Sequence, residues 1–559
     1  MRHTDTQDLA HCSPLRTGLP GLIQAQRSHH DRSSCCAGKR CGLPALCKSH
    51  CDITAGVECA EPFKKTQERG RNMPARTGAE YLERLKHSEA EVWLRGERVE
   101  DPTSHPGLAN GARAVASLYD LQCDAEHIES MTFESPSSGN RVGLSFIVPR
   151  CQEDLVARRE MMLKWARTTG GMMGRSPDFM NVTFATWNGC AEYFARGGRA
   201  DFAENVRRYY EYVSENDLVL THSLINLQRS RDVSGMFNLE EGTALHVVKE
   251  TDAGVVVRGA RVLATLGPLA DEIAVYSPRL AQHRDNHSPF AFNFAVPCST
   301  PGLKFLCRDS FDYGRTHFDH PLGSRFEEMD CVVFFDDVLV PWERMFLYGD
   351  VELLNNTLGG THTSAQTSHQ GAAKNLAKCE LVLGVALLVT ETLGSAHLPH
   401  SDERIGELIM YAELMRACMR AAEADAEVNE FGVMYPASLP AETTRNLFMT
   451  AYPRMVEILQ LLGSSSMMIL PTEADMEGPL KPHIERYLAT EGAQARDRVR
   501  LFHLAWDIAC SSFGGRQVLY ERFFASDPLT RARALASIYP KQATMERVLE
   551  FLGRDDNRP

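Results

Sequence analysis

Apolar residues change their spacing twice along this chain, and each change marks a different kind of structure. From Arg76, the run Arg76-Thr77-Gly78-Ala79-Glu80-Tyr81-Leu82-Glu83-Arg84-Leu85 puts apolar side chains three and four apart, the spacing of one helix face. Val92-Trp93-Leu94-Arg95-Gly96-Glu97-Arg98-Val99 reads as a small hairpin with Gly at its turn. Helical spacing, clearest over 154–168 and 202–212, continues to about residue 218. Between about 220 and 345 the pattern becomes that of short strands: 245–250, 255–257, 261–266, 273–276, 290–296, 303–307 and 331–335, with Asp252-Ala253-Gly254 and Gly259 as separators. Closely spaced short strands predict a compact β-barrel or sandwich. From about 370 the chain is helical again, over 372–393, 403–429, 444–462 (with a kink expected at Pro453) and 496–512. The expected order is helices, a β segment, then a bundle of long helices.

Residues 1 to about 72 fit none of these patterns. They hold seven of the sixteen cysteines, few large apolar residues, and eleven Lys and Arg against seven Asp and Glu. That is a formal +4, leaving −17 for the rest of a chain whose total is −13. The stretch reads as a disordered extension, and Met73, just after Glu68-Arg69-Gly70-Arg71-Asn72, reads as the expected start of translation. The cluster Cys35-Cys36, Cys41, Cys47, His50, Cys51 lacks two separated C-x2-C pairs, so no metal site is expected. The acidic balance argues against nucleic acid or an anionic membrane surface as partner. No apolar run is long enough to span a bilayer and no secretory leader is visible, which points to the cytoplasm.

Four islands carry candidate chemistry. In Gly174-Arg175-Ser176-Pro177-Asp178-Phe179, glycines beside a proline place Arg175 on a loop. Thr221-His222-Ser223-Leu224-Ile225-Asn226-Leu227-Gln228-Arg229-Ser230-Arg231 sits where helices give way to strands, and such junctions line clefts; His222 suits a substrate oxygen near neutral pH. The run 264–272, with Thr265, is a strand-to-strand turn. In Ser512-Phe513-Gly514-Gly515-Arg516-Gln517 the glycines suit either close approach to a pyrophosphate or a helix C-cap, with Arg516 adding charge. There is no G-x-G-x-x-G after a strand, no Walker loop, no G-x-S-x-G elbow and no H-E-x-x-H. On the residues alone, the chain is an α+β multidomain enzyme with a polar cleft.

Together the islands resemble the oxygenase components of the 4-hydroxyphenylacetate 3-hydroxylase family. Arg76–Leu82, Thr103-Ser104-His105-Pro106, Gly174–Asn181, Thr221–Arg231, Glu250–Gly254, Phe334–Trp342, His369–Glu380 and Phe513–Glu521 carry the likeness, in order, over essentially everything after Met73. The resemblance implies an acyl-CoA dehydrogenase-like fold: an N-terminal helical domain (73–219), a middle β-barrel (220–346) and a C-terminal four-helix bundle (347–559), assembled as a homotetramer. It implies a two-component monooxygenase. A separate NAD(P)H-dependent flavin reductase supplies FADH2, which with O2 forms a C4a-hydroperoxyflavin that hydroxylates a phenol, usually ortho to its hydroxyl. Arg175 and His222 are the implied catalytic pair. Phe179 and Ser277 join them around the substrate. His222, Ser223, Leu224, Gln228, Arg229, Ser230, Arg231, Thr265, Phe513, Gly514, Gly515 and Arg516 are the implied FAD contacts. Phe179 stands where many hydroxyphenylacetate hydroxylases have Tyr, and Asn226-Leu227-Gln228 replaces the usual Asn-Pro-Gln. The implied substrate is therefore a phenol, free or a carrier-tethered tyrosine derivative. The alternatives are a 4-hydroxybutyryl-CoA dehydratase-like enzyme, whose cluster cysteines are missing around 175–186 and seven residues after His369, and a non-catalytic flavin-binding homologue.

Overall fold

The opening motif of the chain folds as a capped helix locked to a distant turn. Thr77 caps the helix Gly78–Lys86, accepting from the Glu80 N–H, while the Glu80 carboxylate accepts from the Thr77 N–H at 2.7 Å. Arg76 is buried and donates to Asp271 at 2.7 Å, and the Tyr81 hydroxyl donates to Leu269 O at 2.8 Å. The N-terminal motif and the third island, 264–272, thus hold each other. These contacts come from a computed structural model that describes residues 75–227, 239, 242–277, 279–280 and 286–553. The expected tail 1–72, the start at Met73, and Gln228, Arg229, Ser230 and Arg231 lie outside the described residues.

The expected hairpin forms from Glu91–Leu94 and Glu97–Arg98. Arg95 and Gly96 both take positive φ (55° and 81°), the pairing a two-residue turn needs to match strand twist. Its surroundings were not foreseeable from local sequence: Glu91–Leu94 runs parallel to Leu303–Cys307, so the hairpin becomes an edge of the large sheet. Helices Ala109–Cys123, Gln152–Thr168, Asp178–Gly189 and Ala200–Glu215 complete the N-terminal segment.

Among the described residues the β segment holds two principal sheets. The seven-stranded one runs Glu97–Arg98, Glu91–Leu94, Leu303–Cys307, Asp330–Pro341, Gly254–Thr265 and Ile225–Asn226, with His246–Thr251 also paired to Gly254–Thr265. The four-stranded one runs Met345–Asp350, His287–Pro297, Glu272–Tyr276 and Leu220–Ser223, the last two parallel, with His222 opposite Ala274. No ladder joins them into a closed barrel among the described residues. Gly259 does not separate two strands, as its residue type suggested. It lies inside Gly254–Thr265 at φ 130°, because the Ala244 backbone passes so close that a Cβ would sit 2.6 Å from its carbonyl oxygen.

Thr363–Thr392, Pro399–Ala424, Ser438–Gly463 and Ala495–Ala509 pack as a four-helix bundle, and Ser512–Phe523 follows. Ser438–Gly463 continues past Pro453 as one helix. One buried apolar cluster, from Tyr81 to Phe513, runs through all three segments. Among the described residues no helix is long and apolar enough to cross a membrane.

Candidate functional site

Gly170 and Gly171, at φ 59° and 70°, end the 152–168 helix. A Cβ on Gly171 would lie 2.6 Å from Lys374 O, so the loop that follows is pressed against the bundle. Arg175 sits on that loop, as its glycine-proline setting predicted. Its guanidinium carbon lies 3.9 Å from the Phe179 ring centre, 5.1 Å from Phe524 and 5.6 Å from Tyr520. Its Nη1 is buried with no acceptor, and among the described residues no carboxylate pairs with its side chain. A guanidinium boxed by aromatic faces with an unused N–H is a receptor for a planar anion.

Phe179 stacks on His222 at 5.3 Å between ring centres, and His222 stacks on Tyr276 at 5.7 Å and 7°. Burial first, and then the Arg175 charge, hold the His222 imidazole well below its ordinary pKa, so it is neutral at pH 7. It offers a hydrogen bond without a second positive charge. On the other side, Tyr520 has Arg516 over its ring at 4.7 Å. The structure therefore joins Tyr276, His222, Phe179, Arg175, Tyr520 and Arg516 in one continuous row, drawn from a strand of each half of a parallel pair, a helix, a loop and the helix Ser512–Phe523. Islands one, two and four meet.

Two carboxylates that sequence reading missed tie this row together. Glu328 accepts from the Arg175 backbone N–H on one oxygen and from Arg516 Nη1 at 2.9 Å on the other. Asp330 accepts from Arg516 Nη2 at 2.7 Å and Nε at 2.9 Å, and from Thr265 Oγ1 at 2.8 Å. Thr265 and Arg516, 251 positions apart by their numbering, thus share one carboxylate. Arg516 is consequently paired on all sides, so the free positive charge expected of it is neutralised here. Gly514 and Gly515 form the first turn of a helix rather than a C-cap: Ser511 caps it, accepting from Gly514 N–H at 3.1 Å. Gly514 is required there because a Cβ would meet Ile508 O at 2.4 Å.

Other expected site residues are engaged elsewhere. Ser223 is fully buried and donates to Val262 O at 3.3 Å, and Leu224 O accepts from Arg261 at 2.7 Å. Ser277 donates to Phe290 O and accepts from Arg261 at 3.4 Å. Phe513 is buried against Gly323. Among the described residues near the row, Arg175 Nη1, the Tyr520 hydroxyl and, at the strand end, Asn226 Oδ1 are buried without a hydrogen-bond partner. Tyr520 and Phe524 had a visible signal: with Arg516 they fall four apart, on one helix face. Glu328 and Asp330, acidic residues at the start of a strand, had none.

Burial alone would raise Asp330, but Arg516 and then Arg308 overcome it and hold its carboxyl at about 2 against an ordinary 3.8. A depressed carboxylate contributes stability above its unfolded pKa and loses it as pH falls through the folded value. Asp330→Asn should therefore cost about 2 kcal/mol at pH 7. It should also flatten the loss of stability between about pH 4 and pH 2. Equilibrium unfolding across that range checks it; an unchanged acid limb would mean Asp330 is not the linking carboxylate.

Comparison with known proteins supplies the context. The N-terminal model of the 4-hydroxyphenylacetate 3-hydroxylase family matches residues 77–347 and the C-terminal model 354–553. The 4-hydroxyphenylacetate 3-monooxygenase oxygenase component of Thermus thermophilus is 45% identical over 480 residues, 86% of this chain and 97% of that protein. The oxygenase component of a Rhodococcus 4-nitrophenol 2-monooxygenase is 32% identical, over 84% of this chain and 89% of its own length. A crystal structure of the oxygenase component of 4-hydroxyphenylacetate 3-monooxygenase complexed with FAD and 4-hydroxyphenylacetate superposes with a TM-score of 0.80 at 45% identity, covering 86% of this chain and 98% of that one.

Proposed function

Because the chain belongs to the 4-hydroxyphenylacetate 3-hydroxylase family, we propose that it is the oxygenase component of a two-component monooxygenase that hydroxylates a phenol with FADH2 and O2. The single observation that carries this reading is Arg175: a buried N–H without an acceptor, on a guanidinium enclosed by three aromatic rings and beside a neutral imidazole. That is the environment in which a phenol binds as its phenolate.

The residues present fit a flavin beside that anion. Thr265, the first turn at Gly514–Arg516 and the backbone at His222–Leu224 would hold it, with the Asp330–Arg516–Glu328 network fixing their spacing. Reduced FAD, when bound, supplies with O2 the oxygen atom transferred to the ring. The chain's own work is positional and electrostatic. Arg175 stabilises negative charge on the phenolic oxygen, which enriches the carbon beside it for attack by an electrophilic oxygen. In a site walled by rings that attraction is stronger than in water. His222, neutral, orients the same oxygen without competing for the charge. Phe179 packs against both groups, and Phe179, Tyr276, Tyr520 and Phe524 keep water from the reacting atoms, which favours coupled oxygen transfer over peroxide release.

The absence of any dinucleotide fingerprint supports a separate NAD(P)H-dependent reductase as partner. The pure chain given NAD(P)H alone should consume no O2; with FAD and a flavin reductase added, phenol hydroxylation should begin. NAD(P)H oxidation by the chain unaided would overturn the two-component assignment. The substrate is a phenol, free or carrier-tethered, and the three segments 73–219, 220–346 and 347–559 are its domains. Exposed apolar side chains on the C-terminal helices, including Leu388, Met410, Leu529, Val548 and Phe551, support self-association as a tetramer in the cytoplasm.

A further inference from the structure

We propose that the Tyr520 hydroxyl is a substrate-binding group, donating a hydrogen bond to the phenolic oxygen that Arg175 holds. The inference rests on the reading of Arg175 as the phenolate receptor and adds a residue to it.

Three observations lead there. The Tyr520 hydroxyl is buried and has no hydrogen-bond partner among the described residues. A buried phenolic O–H without an acceptor costs roughly 1–3 kcal/mol, so native structures keep one where something else completes it. The hydroxyl lies against the loop that carries Arg175: a Cβ on Gly174 would sit 2.3 Å from it. Gly174 is thus the residue that lets Tyr520 reach this loop. Of the cations over the Tyr520 ring, Arg516 and Lys374 are already paired with carboxylates, so Arg175, at 5.6 Å, is the charge left to attract an arriving anion.

The other members of the row leave the role open. Phe179 has no polar atom. Tyr276 stacks on His222, one ring removed, and its ring is not among those packed against the Arg175 guanidinium. Among the described residues, Arg175 Nη1 and the Tyr520 hydroxyl are both buried donors without a partner, on a guanidinium and a ring 5.6 Å apart, and a phenolate oxygen accepts from two donors. The ring of Tyr520 is itself fixed, stacked on Phe524 at 5.1 Å and 10°, so the hydroxyl is held in place before substrate arrives. Burial pushes the Tyr520 phenol well above its ordinary pKa, which keeps it a donor.

The test compares 4-nitrophenol with nitrobenzene, the same ring without the hydroxyl, as ligands of the FAD-loaded protein. Tyr520→Phe should weaken 4-nitrophenol binding about 10- to 100-fold, the range for a hydrogen bond to a charged acceptor, and leave nitrobenzene unchanged. The same variant should shift oxygen use from product toward peroxide. Gly174→Ala, whose Cβ would push aside the hydroxyl end of the Tyr520 ring, should give the same phenol-selective loss and serves if Tyr520→Phe folds poorly. Equal affinities in wild type and Tyr520→Phe for both ligands, with unchanged product yield, would overturn the proposal. If the wild type itself does not prefer 4-nitrophenol to nitrobenzene, the Arg175 reading beneath it fails instead.

Discussion

Replacing Arg175 with Ala should reduce hydroxylated product about 10²–10³-fold, the effect of removing one charge-stabilising donor from a preorganised site. The loss should fall on coupling more than on flavin use. Reduced flavin would still be oxidised, because the Asp330–Arg516–Glu328 network and Thr265 remain, but the phenol would no longer be held as its phenolate beside the oxygen donor. Peroxide should therefore account for most of the O2 consumed. His222→Ala should uncouple in the same direction and less severely, since the imidazole is neutral and contributes orientation rather than charge. Parallel assays of product and peroxide decide the point; normal coupling in Arg175→Ala would remove that residue from the mechanism.

The second large effect lies behind the site. Lys374 and Lys378 are fully buried and both donate to Glu521 at 2.5 Å, with Gln517 also accepting from Lys378 at 2.9 Å. One carboxylate cannot neutralise two ammonium groups. Burial, only partly offset by Glu521, brings Lys374 down to about 7, while the two lysines hold Glu521 below the usual carboxylate range. Glu521→Gln removes the carboxylate bonded to both buried cations, leaving only the more distant Glu328 charge, and should destabilise the protein by about 3–5 kcal/mol. Lys374→Met should cost far less, because it leaves one lysine for one glutamate and an apolar chain among the rings of Phe448, Tyr520 and Phe524. The contrast in thermal inactivation temperature between the two variants is the measurement. Equal losses would mean that packing, not charge balance, governs this helix pair.

The aromatic row shows how far sequence patterning carries. The amphipathic start at Gly78–Lys86, the hairpin about Arg95-Gly96 and most strands were legible because apolar alternation and turn residues act locally. The helix Thr363–Thr392 was legible only from residue 372. Its first turns are polar, and what buries them is partnership: Gln366 with Arg158, His369 with Glu423 at 2.7 Å, and Gln370 with Asp178 at 3.0 Å. No hydrophobic period reports such contacts. For the same reason Glu328 and Asp330 were invisible, since their importance comes from Arg516 and Arg175, which reach them from far along the chain. Arg175, Phe179, His222, Thr265 and Arg516 were named from the residues and their resemblance to a family, and the fold brings them to one place. Ser277 and Ser223 were named with them, yet their hydroxyls are taken by neighbouring strands. Gly514 suits a ligand cradle or a helix stop by its residue type; it lies in the first turn of a helix pressed against Ile508 O, so it is not a stop.

The central claim is that this chain transfers one atom of O2 to a phenol using FADH2 it does not make. A single turnover with chemically reduced FAD, a phenol and 18O2, without reductase, addresses it directly. The expected product is a catechol-type compound carrying one 18O atom beside the original hydroxyl, formed in proportion to the FADH2 oxidised. Complete recovery of the 18O as peroxide, with the phenol unchanged at every ring tested, would contradict it.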